Sequence, residues 1–209
     1  MRPRATMRAM QPDLFEGAGT VAVSQKKEWL EILTDIESRN RFTIDFDGRD
    51  GVLLAAEEGS GWKRFFLGSM RPYTIVIQTR ERKPVLRMHA PFRWLHPEIT
   101  VTEVNGKPLG IVRKRFTFPH TRYDVLDAHG HRLFEIGRGL LKAWTFPIRR
   151  DGQEVGVIRK RWRGISLEVF TDADRFQLDF ANVPDPIERK ILLGALFLLD
   201  FKHFEESGG

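Results

Sequence analysis

The sequence contains no cysteine, and this absence excludes several kinds of chemistry before any motif is considered. Disulfide bridges, thiolate metal sites, cysteine nucleophiles and palmitoyl anchors all require a thiol. Long hydrophobic runs are scarce too, because the uncharged apolar run near the C-terminus covers only residues 191–199. At about 1.5 Å per helical residue, such a run spans roughly 14 Å of a hydrocarbon core about 30 Å thick. It is therefore too short by half to cross a membrane as a helix.

Acidic residues are fewer than basic ones, with 28 Asp and Glu against 34 Lys and Arg, a net charge of +6 and a pI of about 9.8. A basic excess favours a polyanionic partner, either nucleic acid or anionic lipid, and does not choose between them. The 209 residues are 41% hydrophobic and 30% charged. This length and composition fit one globular domain with a substantial core.

From residue 41 to residue 180 the pattern predicts one strand after another. The segments are RFTIDF, GVLLAAE, YTIVIQ, PVLRM, EITVTEV, LGIVRKRF, YDVLD, RLFEI, TFPIRR, VGVIRKRW, ISLEVF and RFQLDF. They are short, rich in β-branched or aromatic residues, and separated by turn dipeptides such as N-G and D-G. About twelve such strands predict an all-β sandwich or barrel. Residues 1–24 are predicted to be a flexible basic leader, and residues 25–38 fit a helix face and a strand equally well.

One heptad occurs almost unchanged twice, as GIVRKRF at residues 110–116 and GVIRKRW at residues 156–162. The segments around it repeat as well, so we predict two four-stranded repeats with the heptads on equivalent strands. Alternation along a strand puts the arginines outward, while Lys114 and Lys160 fall on the apolar side near strand ends. We predict a phosphate-binding basic patch formed by Arg113, Arg115, Arg159, Arg161 and Arg163. The alternative is a solvated outer face on which these arginines only aid solubility.

The C-terminal segment predicts a helix of a different character. Asp185 suits the N-cap, Pro186 the first helical position and Glu188 the third. The following residues, ILLGALFLLDF, are apolar on every side, which is typical of a helix buried in protein. About twelve strands and one buried helix predict a closed antiparallel barrel around a central hydrophobic C-terminal helix.

Three stretches together resemble the phospholipid scramblase family. They are GVIRKRWRGISLEVFTDADRFQLDF, the helix KILLGALFLLDFKHFE, and LEILTDIESRNRFTI near the start. The resemblance covers residues 25–206, which we take as the scramblase-like domain. The family is related to the tubby C-terminal and LURP-one-related proteins, which implies a twelve-stranded barrel around a central helix and favours a strand at residues 29–36. It also implies calcium-stimulated movement of phospholipids between leaflets, and its tubby relatives bind phosphoinositide head groups.

The same resemblance implies a calcium segment at residues 172–183. The candidate ligands in it are Asp172, Asp174 and Asp179. Compared with an EF-hand loop, the first and third positions match, but Gln177 replaces the glycine and Val183 the bidentate glutamate. The alternative is a turn at residues 171–174 whose aspartates bond their own backbone. We therefore expect at most a weak, open calcium site.

Three functions fit these features. The first is a scramblase-related protein that binds an anionic phospholipid membrane surface and moves phospholipids between leaflets. The second is a non-catalytic tether for phosphoinositides or other lipids, and the third is a nucleic-acid or protein interaction module. The sequence carries no phosphate loop, G-x-S-x-G or H-E-x-x-H motif, so we do not predict an enzyme. We expect a cytoplasmic chain, with peripheral attachment to the inner face of the membrane under the lipid hypotheses.

Overall fold

A computed structural model describes residues 13–24, 41–58, 72–93, 96–117, 121–137, 144–161 and 175–206. At residues 41, 161, 175 and 200–206 it describes the backbone only. The elements are β1 (Thr20–Ser24), β2 (Arg41–Phe46), β3 (Arg49–Glu58), β4 (Tyr73–Thr79), β5 (Pro84–Ala90), β6 (Glu98–Glu103), β7 (Pro108–Arg115), β8 (Arg122–Asp127), β9 (Arg132–Gly137), β10 (Thr145–Arg150), β11 (Gln153–Arg161), β12 (Arg175–Asp179) and α1 (Pro186–Glu206).

The strands form a closed antiparallel barrel in which each strand pairs with its neighbours in the chain. Closure comes from β1, which pairs with β2 on one side and with β12 on the other. Along β5, Leu86, Met88 and Ala90 are buried while the residues between them are exposed. This period of two puts one face of each strand in the core. The predicted fold, a barrel of about twelve strands with a C-terminal helix, is confirmed.

The connections between successive strands are alternately short and long, so the short ones lie at one end of the barrel and the long ones at the other. Tight turns join β2 to β3, β4 to β5, β6 to β7, β8 to β9 and β10 to β11 at one end, which we call the turn end. Positive φ angles at Asp47 and Gly48, and again at Asp151 and Gly152, are those of type I′ hairpins. The longer connections lie at the opposite end, which we call the loop end.

The helix α1 fills the barrel. Asp185 Oδ1 accepts a hydrogen bond of 2.7 Å from Ile187 N, which confirms the predicted N-cap. Every residue from 191 to 199 is buried, and the helix contacts β6, β7, β8 and β12. Near the loop end the Phe197 ring meets Phe42 edge-on, with centroids 5.5 Å apart. A helix that is apolar around its whole circumference is stable in water only when it is enclosed in this way.

Equivalent glycines begin the two heptads, and both stand where a side chain would collide with the partner strand. A Cβ on Gly110 would lie 2.3 Å from Leu126 O and 2.6 Å from Ile191 Cδ1. A Cβ on Gly156 would lie 2.5 Å from Asp179 O. Part of the heptad repeat therefore serves strand packing in the barrel.

The main difference from the sequence prediction lies in the leader, because residues 20–24 form β1. Val21, Ala22 and Val23 are buried between β2 and β12. The neighbouring glycines interrupt the alternating strand pattern in the sequence, and the partner strand β12 is far away in the chain. The predicted strand segments at 29–36 and 165–170 lie outside the described residues.

The residues just before β1 close the turn end of the barrel. Phe15 is fully buried, with its ring 5.1 Å from that of Phe46. Arg189, in the first turns of α1, donates hydrogen bonds of 2.6 Å to Phe15 O and Val183 O. Lys190 pairs with Asp13 in the same region. The N-terminal turn and the start of the helix are thus tied together over the barrel opening.

The heptad glycines yield a stability prediction. We expect Gly110→Ala to lower the free energy of unfolding by about 1–3 kcal/mol, because the added methyl group meets a backbone carbonyl and Ile191. Gly137→Ala is the matched control, since it is a buried strand glycine whose Cβ would come no closer than 3.7 Å to a neighbour. Urea unfolding measures both, and equal stabilities of the two variants would contradict the packing argument.

Candidate functional site

The predicted arginines that the structure describes lie on the outer wall of the barrel. Arg113, Arg115 and Arg159 have side chains 45%, 42% and 48% exposed, while Val112 and Ile158 next to them face the core. The side chain of Arg161 and all of Arg163 lie outside the described residues. The structure therefore places three of the five predicted residues, all near the loop end.

Arg113 belongs to a charged group centred on a buried carboxylate. The register of β6 and β7 sets Glu98 directly opposite Arg113. Arg113 Nε lies 2.9 Å from Glu98 Oε2, and Arg93 Nη2 lies 2.7 Å from Glu98 Oε1. The Glu98 side chain is only 7% exposed, whereas the two arginines are about half exposed. One carboxylate thus orders two guanidinium groups that remain accessible to solvent.

Arg115 stands at the centre of a second group on β7, β8 and β9. Its Nη2 lies 3.2 Å from Glu135 Oε2, and its Nε lies 3.4 Å from Asp124 Oδ2 without forming a hydrogen bond. Arg122 also binds Glu135, at 2.8 Å, and Arg132 lies 4.0 Å from Asp124. We call the whole set the arginine cluster: Arg93, Arg113, Arg115, Arg122 and Arg132, with Glu98, Asp124 and Glu135.

The arginine cluster has an excess of positive charge, because five guanidinium groups face three carboxylates. Guanidinium is planar and presents several donors in a fixed fork that matches a phosphate group. Glu98 and Glu135 each pair with two arginines, so one guanidinium group can turn to an incoming anion while the other still compensates the carboxylate. The arrangement is suited to binding phosphate groups at a surface.

The paired lysines of the heptads are buried on the inner side, as predicted, at 9% exposure for Lys114 and 7% for Lys160. Lys114 Nζ lies 4.9 Å from the centre of the Phe116 ring. Lys160 Nζ lies 5.2 Å from the Trp144 ring and 5.4 Å from the Phe176 ring. Both ammonium groups therefore approach aromatic rings near the loop end of the barrel.

Of the predicted calcium ligands, the structure describes Asp179. Its Oδ1 accepts a hydrogen bond of 2.9 Å from Ala181 N, and its Oδ2 lies 3.9 Å from Arg159 Nη1. A cation at Asp179 would compete with that guanidinium group. Asp172 and Asp174 lie outside the described residues, and the described part of the chain contains no group of three candidate metal ligands.

Two histidines in the turn between β8 and β9 belong to the turn structure. Asp127 Oδ1 accepts hydrogen bonds of 2.8 Å from the backbone N of His129 and of His131. Its Oδ2 lies 3.1 Å from His131 Nδ1. Desolvation acts to raise the pKa of Asp127, but these hydrogen bonds outweigh it and hold the pKa below its ordinary value.

Sequence reasoning missed Arg93, Arg122 and Arg132, together with all three carboxylates of the arginine cluster. These residues come from three separate strands and one loop, and only the register brings them together. The turns at residues 105–106 and 129–130 are the sequence features from which these pairings could have been predicted, because a tight hairpin sets which residues face each other.

Comparisons with known proteins cover most of the chain. The family model described as Scramblase matches residues 9–206. The chain is 31% identical over 205 residues to human phospholipid scramblase 1, covering 90% of this chain and 64% of that protein. It is 29% identical over 204 residues to bovine phospholipid scramblase 2, covering 90% of this chain and 69% of that protein. The chain thus spans less than two thirds of the length of human phospholipid scramblase 1. No solved structure shows a significant match.

No helix within the described part of the chain is long and apolar enough to cross a membrane.

The shared carboxylate at Glu98 predicts non-additive effects of mutation. Arg93→Gln or Arg113→Gln alone leaves Glu98 one partner, so each should lower the free energy of unfolding by up to about 1 kcal/mol. The double variant leaves a buried carboxylate without a cation and should cost about 3–5 kcal/mol. Urea unfolding of the four proteins measures the coupling. Adding Glu98→Gln should restore stability to the double variant, and purely additive effects would contradict the shared pairing.

Proposed function

The chain belongs to the scramblase family, and on that basis we propose that it binds the head groups of anionic phospholipids and takes part in moving phospholipids between leaflets. The observation that carries the binding proposal is the excess of guanidinium groups in the arginine cluster. The names of the relatives support phospholipids as the partner. The proposed activity is transport and breaks no covalent bond.

Arg113 and Arg115 are the residues that we propose as the main phosphate contacts. They stand two positions apart on the same outer face of β7, so both can approach one membrane surface. Their carboxylate partners each have a second arginine, which keeps Glu98 and Glu135 compensated when Arg113 or Arg115 turns to a phosphate. Arg159 is the equivalent residue on β11, and its one ion pair within the described residues is long, at 3.9 Å.

The first test is co-sedimentation of the chain with liposomes, neutral or containing phosphatidylserine. We expect selective pelleting with the anionic liposomes and its loss at high salt. Arg113→Gln/Arg115→Gln should weaken binding about thirtyfold, because each basic residue near an anionic surface contributes about 1 kcal/mol. Lys83→Gln/Lys107→Gln is the matched control, with the same charge change on exposed residues of the turn end. Equal loss in both variants would show that only net charge matters.

The second test separates transport from binding. Reconstituted liposomes with fluorescent lipid in both leaflets report leaflet exchange through the fraction that an external reductant can bleach. We expect the chain to raise that fraction above the level of protein-free liposomes, and the Arg113→Gln/Arg115→Gln variant to raise it less. Full binding without exchange would identify the chain as a lipid tether of the family, and no binding would contradict the lipid proposal.

We further propose that calcium stimulates this activity through residues 172–183, as the family resemblance implies. Asp172, Asp174 and Asp179 are the proposed oxygen ligands, with Asp179 exchanging Arg159 for the ion. Asp172→Asn/Asp174→Asn should abolish calcium stimulation of liposome binding without weakening calcium-free binding, because the change removes two negative charges. Asp151→Asn at the turn end is the control, because asparagine tolerates the positive φ of 50° there. Stimulation that survives the double change would contradict this site.

A further inference from the structure

Exposed aromatic residues continue the inner face of two strands at the loop end. Phe92 follows β5 and has the parity of Leu86, Met88 and Ala90, which face the core. Phe116 follows β7 and has the parity of Val112 and Lys114. Beyond the end of the barrel these rows leave the core, and Phe92 and Phe116 are 49% and 56% exposed. They are the largest of the exposed apolar side chains in the described part of the chain.

The two phenylalanines project from the same edge of the barrel. Their strands β5 and β7 flank β6, so Phe92 and Phe116 leave the barrel two strand spacings apart, at about 4.8 Å each. Just before β6, Pro97 O accepts a hydrogen bond of 2.8 Å from Lys114 N, which extends the pairing of this segment with β7 by one residue. The His96 ring, between them in the chain, lies 5.8 Å from the Phe116 ring.

Three arginines of the cluster lie directly beside this aromatic edge. Arg93 follows Phe92 in the chain and reaches Glu98, and Arg113 and Arg115 precede Phe116 on β7. The surface therefore combines exposed apolar rings with an excess of guanidinium groups. The rings favour an apolar medium, and the guanidinium groups favour nearby anions. The acyl boundary and the phosphate layer of an anionic bilayer satisfy both at once, because apolar side chains such as Phe are buried at that boundary and basic residues are attracted to its anionic lipids.

We propose that the barrel docks on an anionic bilayer with its loop end, with Phe92 and Phe116 inserted at the interface and Arg93, Arg113 and Arg115 on the lipid phosphates. This inference rests on the proposed function and adds the docking orientation and the inserted residues. The helix α1 runs from Ile191 beside Gly110, near the turn end, to Phe197 beside Phe42, near the loop end. Loop-end docking therefore turns the C-terminus of α1 toward the membrane.

The absence of cysteine makes the orientation directly measurable. Single variants Phe92→Cys, Phe116→Cys and Val104→Cys would each carry an environment-sensitive fluorophore. Val104 is the matched control, because it is 45% exposed and lies in the tight turn between β6 and β7 at the opposite end. With phosphatidylserine liposomes we expect a blue shift, quenching by lipid-borne quenchers and protection from iodide at 92 and 116, and no change at 104.

An unlabelled variant guards against insertion driven by the fluorophore. Phe92→Ala/Phe116→Ala should weaken liposome binding by about tenfold or more, while Val104→Ala leaves it unchanged. Circular dichroism and the melting temperature would establish that both variants keep the fold.

The outcomes separate this inference from the proposed function. Liposome binding with labels at 92 and 116 still open to iodide would overturn the docking orientation and leave lipid binding intact. A lipid-dependent signal at 104 would overturn it in favour of the turn end. A blue shift at 92 and 116 that needs no liposomes and grows with protein concentration would identify a contact between copies of the chain and overturn it as well. Failure of the unmodified chain to bind liposomes would remove the proposed function itself.

Discussion

The structure depends on the burial of a helix that is apolar on every side. Such a helix has no polar face to present to water, so the remaining chain must surround it completely. A closed barrel does this and also leaves no unpaired strand edge among β1–β12. Gly194 shows how tight the enclosure is, because a Cβ there would lie 2.6 Å from Val101 Cγ2. The closing role of β1 follows from this requirement, and Gly110 leaves room for Ile191 of the helix.

The two ends of the barrel that encloses the helix differ, because the turn end is closed and the loop end has longer connections. At the turn end, short hairpins and the bonds from Arg189 to Phe15 and Val183 fix the start of the helix. These backbone carbonyls need donors where they are buried, and a guanidinium group satisfies two at once. The loop end has longer connections and carries the exposed rings and the arginines of the cluster other than Arg132, which begins β9 at the turn end. The proposed binding surface at the loop end is therefore supported by a scaffold whose stabilising contacts lie at the turn end.

The sequence predicted what depends on local pattern and missed what depends on register. Strand alternation and the helix cap were visible because both are local, and the outward direction of Arg113 followed from the same alternation. Strand β1 was missed because its five residues derive their role from β12, about 150 residues later in the chain. The carboxylates of the arginine cluster were missed for the same reason, since Glu98 meets Arg113 only across two strands. The number of charged residues in the sequence shows an excess of positive charge, but it cannot show which residues form ion pairs.

The pairing in the arginine cluster reconciles two demands on a surface that binds phosphates. Unpaired arginines would repel one another and sample many rotamers, so binding would carry the entropic cost of ordering them. Strongly buried pairs would not open, because a desolvated carboxylate left alone costs several kcal/mol. Here Glu98 and Glu135 each hold two partly exposed arginines. When one arginine turns to a phosphate, the other still compensates the carboxylate, so the cluster is ordered before binding and can exchange partners during it.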